Sequence, residues 1–234
     1  MISIKMTFLL AMTGVVIGGC SPQRSQQTYP PAPATAPLPL SATPVVEAAI
    51  NDVGRYGEEI YDLVKGRDWP KAKSDVVSLK QAASKLPAEV NGNGSEQVQL
   101  NDTIRALDKA IAEKNWERAA REANQITWIG ADLTAPFKPL VPIEVTRLDY
   151  YGRELEISSI QKDEPRLKAT AAGMVTAWNA LRPPLEASGG VSEAERFDKL
   201  IAQVQAAKSP ADFGKLATPV LNEVDNLEKA FTGK

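Results

Sequence analysis

Histidine is absent from this chain of 234 residues, and cysteine occurs once, as Cys20. Without an imidazole and with a single thiol, the chain cannot form Ser-His or Cys-His nucleophile pairs, thiolate or imidazole zinc sites, or histidine-ligated haem. An intrachain disulfide is excluded because the one cysteine has no second cysteine to pair with. The formal net charge is only −2 and no basic cluster occurs, so we expect no nucleic-acid partner. We therefore expect no metal, no cofactor and no enzymatic activity.

The single cysteine ends a segment with the features of an export signal. Lys5 precedes an apolar run over residues 8–17, and small residues lead from that run to Cys20. A helix that spans a bilayer needs about 20 apolar residues, so this run is too short to be one. The pattern instead predicts a signal peptide over residues 1–19. An ordinary secretory signal that ends near a cysteine by chance is the alternative.

The motif Ile17-Gly18-Gly19-Cys20 resembles the lipobox of bacterial lipoproteins, in which an aliphatic and two small residues precede the cysteine. The resemblance implies a diacylglycerol on the thiol of Cys20, cleavage after Gly19 and acylation of the new amine. Two or more acyl chains hold a protein stably, at about 0.8 kcal/mol per buried methylene. Ser21 rather than aspartate follows the cysteine. By analogy with Gram-negative lipoproteins, this favours the periplasmic face of the outer membrane.

A proline-rich segment follows the predicted lipid site. Residues 20–44 combine seven prolines with Ser, Gln, Thr and Ala, a composition that cannot build a core. We expect a disordered linker that could reach roughly 70 Å at about 3.1 Å per residue. It is interpreted as a tether that lifts a folded body off the membrane, or as a linker whose length has no special role.

From Val45 onward, apolar residues recur every three or four positions, which predicts helices. The pattern then repeats. Adding 47 carries Asp68-Trp69, a predicted helix cap and first turn, onto Asn115-Trp116. Adding 95 carries Tyr56-Gly57 onto Tyr151-Gly152. We therefore interpret the chain as a tandem duplication of helical hairpins, with eight helices in all.

The predicted fold is all-α, with two up-down four-helix bundles over residues 45–135 and 143–234. The prolines of the connector at 136–142 forbid a continuous helix, which favours two bundles over the alternative, a short α-solenoid. The run from Pro139 to Arg147 with its flanking helices resembles the YfdX-like helical stress proteins. This resemblance assigns no active residue to the chain.

Three aromatic residues are candidate contact sites. Trp128 lies off the apolar stripe of its helix, so we expect it to be partly exposed and to contact a partner. Tyr56 and Tyr151 each precede a helical glycine, which indicates either close helix packing or a ligand cleft lined by both tyrosines. Glu58 and Asp62 share a helix face, which we interpret as a solvated surface.

The predicted function is that of a lipid-anchored, non-enzymatic envelope lipoprotein whose helical body contacts other envelope proteins or serves as a scaffold. The alternative is a periplasmic carrier that holds a small apolar ligand in or between the bundles, which a pocket near Tyr56 or Tyr151 would favour. An enzyme that uses carboxylate chemistry would need two acids converging in a cleft. The sequence shows no such pair.

Overall fold

The computed structural model describes residues 44–87 and 94–233, and this part of the chain forms eight α-helices and one short 3-10 turn, with no strands. The all-α prediction is confirmed. The helices are α1 (Pro44–Lys65), α2 (Trp69–Ser84), α3 (Ser95–Ala112), α4 (Trp116–Thr134), α5 (Ile143–Gln161), α6 (Glu164–Ala187), α7 (Val191–Ala206) and α8 (Pro210–Thr232). The 3-10 turn, Ala135–Phe137, follows α4. The predicted signal peptide, Cys20 and the linker before Pro44 lie outside the described residues.

Helices α1–α4, the first helical set, close into a ring. Each helix packs against the next, and α1 also packs against α4. The apolar stripe predicted for α1 is buried from Ile50 to Val64, and it meets the buried faces of the other three helices. Burying these side chains removes their apolar surface from water, which stabilises the set by about 25 cal/mol per Å². The α1–α4 contact is typical of an up-down bundle.

Helices α5–α8, the second helical set, repeat this arrangement around their own core, with α5 packed against α8. Trp178 is buried there against Phe197, at 4.6 Å between ring centroids, and its indole N–H donates a 2.8 Å hydrogen bond to Asp198. The two sets are not separate, however. Helix α4 packs against α5, and Ile157 of α5 belongs to the core of the first set. The prediction of two bundles is therefore confirmed only in part.

Three of the four hairpin corners share one backbone geometry. In each, a non-glycine residue with positive φ lies one or two positions after the end of one helix. The next residue is Asp or Asn, and its side chain accepts a hydrogen bond from the backbone N–H three residues further on. These pairs are Arg67-Asp68, Lys114-Asn115 and Lys162-Asp163. The fourth corner differs, because α8 begins with a capping box of Ser209 and Asp212. Asp212, which corresponds to Asn115 when the repeat is aligned with an offset of 97 residues, thus lies one turn inside its helix.

The residues with positive φ at the corners are strained, so glycine at such a position should stabilise the protein. Lys114 has φ 53°, a conformation that costs a side-chain-bearing residue roughly 1–2 kcal/mol and costs glycine little. Lys114→Gly should therefore raise the free energy of unfolding by about 0.5–1 kcal/mol, measured by urea denaturation. Lys73→Gly, an exposed position inside α2, is the control and should lower it by about 1 kcal/mol. A loss of stability in both variants would contradict the strain at the corner.

Candidate functional site

A cleft of about 360 Å³ lies where α1, α4, α5 and α8 meet, at the junction of the two helical sets. Part of its lining is apolar and comes from α1, the connector, α5 and α8: Ile50, Pro139, Val141, Ile143, Val145 and Val224. The other part is charged: Arg55, Glu58, Asp149, Arg153, Asp225 and Glu228. The volume falls within the range of small-molecule sites, roughly 300–1,000 Å³. The cleft is therefore wide enough for a small molecule with both apolar and polar groups.

Two carboxyl groups from different helices converge in this cleft. Glu58 comes from α1 and Asp149 from α5, and both are half-buried. Arg153 lies one turn after Asp149, and its Nη1 is 2.9 Å from Asp149 Oδ2. The same guanidinium donates a 3.3 Å hydrogen bond to the Thr127 hydroxyl and lies 5.2 Å from the ring centroid of Tyr61. Arg153 therefore bridges both helical sets beside the acids.

Both acids hold their protons more tightly than free carboxyls do. Burial, and next the negative charge of Asp149, raise the pKa of Glu58 from 4.5 to about 7. Burial likewise raises the pKa of Asp149 from 3.8 to about 6, although Arg153 acts in the opposite direction. Asp62 and Glu228 add to both shifts through their charges, and Asp225 adds to that of Asp149. Both groups therefore titrate closer to neutral pH than free carboxyls do.

The interpretation of Glu58 as part of a solvated surface is wrong, and so is the conclusion that no acids converge. The sequence did contain a pattern that points to this charged cleft: on each of three helices, two charged residues lie three or four positions apart and so share a helix face. These pairs are Glu58 with Asp62, Asp149 with Arg153, and Asp225 with Glu228. What the sequence could not show is that α1, α5 and α8 bring the three pairs together. Across the described residues, no group of Asp or Glu is arranged to hold a metal ion.

An aromatic cluster lies on another face of the α4–α5 contact. Trp128 packs edge-on against Tyr150 and Tyr151, with ring centroids 5.0 Å and 5.8 Å away, and the two tyrosines are 5.3 Å apart. The Arg147 guanidinium lies 5.1 Å from the Trp128 ring centroid and pairs with Asp132 at 3.1 Å. All three aromatic side chains are partly exposed. We refer to Trp128, Tyr150, Tyr151 and Arg147 as the aromatic surface.

The structure thus brings together two of the three predicted contact residues, Trp128 and Tyr151, and leaves the third elsewhere. Tyr56 packs against the core of the first set, with the Arg55 guanidinium 4.1 Å from its ring centroid. Neither Tyr56 nor Tyr151 is among the residues that line the cleft. The glycines beside them are sites of close helix packing instead. A Cβ on Gly57 would lie 2.8 Å from the Thr127 backbone nitrogen, and one on Gly152 would lie 2.7 Å from Leu221 Cδ2.

A buried carboxylate network joins α4, α5 and α6. Glu154, of which only 2% is exposed, pairs with Arg121 at 3.0 Å and with Arg166 at 2.7 Å. It also accepts hydrogen bonds from the Ser158 hydroxyl at 2.9 Å and from the Asn124 amide at 3.5 Å. Because each oxygen of this carboxylate has polar partners, the network is a structural link between the two sets rather than a reactive site.

No helix in the described part of the chain is long and apolar enough to cross a membrane. The resemblances to bacterial lipoproteins and to the YfdX-like proteins stay predictions from the sequence. Comparison with family models, curated proteins and solved structures finds no significant match to this chain.

Proposed function

We propose that this protein is a lipid-anchored envelope lipoprotein whose helical body binds other envelope proteins without catalysing a reaction. The lipid site of the proposal is Cys20, and its location is the periplasmic face of the outer membrane. The aromatic surface is the observation that carries the proposed interaction. Aromatic residues and arginine are enriched at the centres of protein interfaces, where large rigid side chains bury much area at little entropic cost. Here Trp128, Tyr150, Tyr151 and Arg147 present these groups together on one partly exposed face.

Crosslinking in intact cells tests the interaction. The full chain with a C-terminal tag is crosslinked in its own membrane and purified, and the covalent adducts are identified by mass spectrometry. Trp128→Ala should remove the principal adduct, because truncation of a hot-spot aromatic residue at the centre of an interface costs about 2 kcal/mol or more of binding free energy. Trp116→Ala is the control, since Trp116 is also half-buried but lies at a hairpin corner under Arg67. Adducts that are the same in both variants would overturn the interaction proposal.

The anchor has a separate test. Wild-type protein grown with radiolabelled palmitate should carry the label, and its mature form should begin at Cys20. Cys20→Ser should lose the label and leave the membrane fraction, because the proposed acyl chains then have no attachment atom. A Cys20→Ser protein that still carries the label would remove the anchor from the proposal while leaving the aromatic surface to be judged by crosslinking.

A second candidate function is supported by the cleft at the junction of the helical sets. Its volume of about 360 Å³ would suit a carrier that holds its ligand between the two sets. Because Glu58 and Asp149 interrupt the apolar walls, such a ligand would need polar groups as well as an apolar body, unlike the wholly apolar ligand expected from sequence. Native mass spectrometry of protein purified from its own membrane tests this function. A retained small molecule lost on Val224→Trp, which fills the cleft, supports a carrier, and protein of bare lipidated mass argues against one.

A further inference from the structure

The two helical sets meet along a junction, and the cleft lies at one end of it, which we call the cleft end. There, the acidic side chains outnumber the basic side chains that could neutralise them. Helix α1 contributes Glu58 and Asp62, α5 contributes Asp149, and α8 contributes Asp225 and Glu228. Facing them are two arginines. Arg153 pairs with Asp149, whereas Arg55 forms 2.8 Å ion pairs with Asp52 and Glu59 on its own helix. The described lining residues from α4 and the connector are uncharged. If all five acids were ionised, one arginine would have to balance them.

The opposite end of the same junction is held by satisfied polar contacts. The Tyr61 hydroxyl donates a 2.8 Å hydrogen bond to Glu156, and the Lys65 ammonium lies 2.7 Å from the same carboxylate. Beside them is the Glu154 network with Arg121. These contacts lie one to two turns further along α5 than Asp149. Any loosening caused by charge repulsion should therefore be confined to the cleft end.

We propose that the junction between the two helical sets is a pH-sensitive contact, closed while Glu58 and Asp149 are protonated in the cleft and opened at that end when both ionise. Closing the cleft buries the two carboxyl groups, which disfavours their charged forms, and it brings them near the charges of Asp62, Asp225 and Glu228. Opening admits water and separates α1 from α5 and α8. The proposal does not depend on a ligand, because the repulsion arises from the chain's own side chains.

The direction of the effect follows from proton linkage. The closed form raises the pKa of Glu58 from 4.5 to about 7 and that of Asp149 from 3.8 to about 6. The closed form therefore binds more protons than an open, solvated form. Its stability is fully present below pH 4 and is lost as the pH rises through about 6 to 7. The contact should accordingly be closed at pH 4 and loosened at pH 8.

Hydrogen exchange of the full chain, followed by mass spectrometry and corrected for intrinsic exchange rates, tests this device. At pH 8, Glu58→Gln should slow exchange at least about tenfold in peptides over residues 50–58 and 221–228, since each unit of pKa difference corresponds to a tenfold change in the opening equilibrium and the pKa of Glu58 is raised from 4.5 to about 7. At pH 4, below the unshifted pKa of Glu58, wild type and variant should exchange nearly alike. Peptides from α2 and α7, which lie away from the cleft, should show no difference at either pH.

Two further variants make the outcome decisive. Glu228→Gln removes an exposed charge that faces Glu58 and should slow exchange in the same peptides by a smaller factor. Glu122→Gln is the matched control, because Glu122 is also an acid with a pKa raised by burial but lies on α4 outside the cleft lining. Equal exchange of wild type and Glu58→Gln at pH 8 would overturn the proposal. So would slowing that extends to α2 and α7, or a matching effect of Glu122→Gln.

Discussion

Glu154→Ala should lower the free energy of unfolding by about 3 kcal/mol, measured by urea denaturation at pH 7. Removing this carboxylate leaves Arg121 without its ion pair and removes the acceptor of the Ser158 hydroxyl. Uncompensated charge at a buried site costs about 3–5 kcal/mol. We expect the lower end of that range because the Arg166 side chain is 43% exposed and can turn to solvent.

The repeat supplies a matched control for this substitution. Glu59 lies 95 residues earlier, at the equivalent position of α1, and forms a 2.8 Å ion pair with Arg55 on the surface. Exposed ion pairs contribute little, so Glu59→Ala should change the free energy of unfolding by less than about 0.5 kcal/mol. If both variants lost the same stability, the Glu154 network would not be the link between the helical sets that its contacts indicate.

Gly130→Ala should lower the free energy of unfolding by about 2 kcal/mol, because the added methyl group meets backbone rather than a movable side chain. A Cβ at this position would lie 2.9 Å from Gly54 Cα and 3.1 Å from the Gly54 nitrogen. Helices α1 and α4 would have to separate at their crossing. The gain in helix propensity, at most about 1 kcal/mol, offsets only part of this cost. Thermal unfolding followed by circular dichroism measures the difference.

The facing glycine is the control for this crossing. A Cβ on Gly54 would have no heavy atom of the described residues within 4 Å, so its methyl group enters open space. Gly54→Ala should therefore raise the free energy of unfolding by up to about 1 kcal/mol through helix propensity alone. We therefore expect Gly130→Ala to lower the free energy of unfolding and Gly54→Ala to raise it. A stabilised Gly130→Ala variant would contradict the close approach of α1 and α4.

Local features of the fold could be read from the sequence with little error. The caps Asp68 and Asn115 were predictable because a short side-chain acceptor before an apolar stripe satisfies free N–H groups at a helix start. The stripes of α1 and α4 were predictable because burial follows the helical period. The start of α8 was not predictable from the repeat. This helix begins at a capping box formed by Ser209, not at Asp212, the residue that corresponds to Asn115.

Tertiary environment accounts for what the sequence did not show. Glu59 and Glu154 follow the same Tyr-Gly pattern, yet the first is a surface residue and the second is buried between α4 and α6. Among residues 44–87 and 94–233, only the second helical set has a preceding bundle packed against its first helix, and no local pattern encodes that difference. The cleft was missed for the same reason, since Glu58 and Asp149 meet only after the two sets have docked.

Ile157 belongs to α5 of the second helical set, but its side chain is part of the hydrophobic core of the first set. Excising residues 143–234 would therefore expose the part of the first core that Ile157 covers, together with the face of α4 that packs against α5. We therefore expect residues 44–233 to unfold in one cooperative transition rather than as two independent modules.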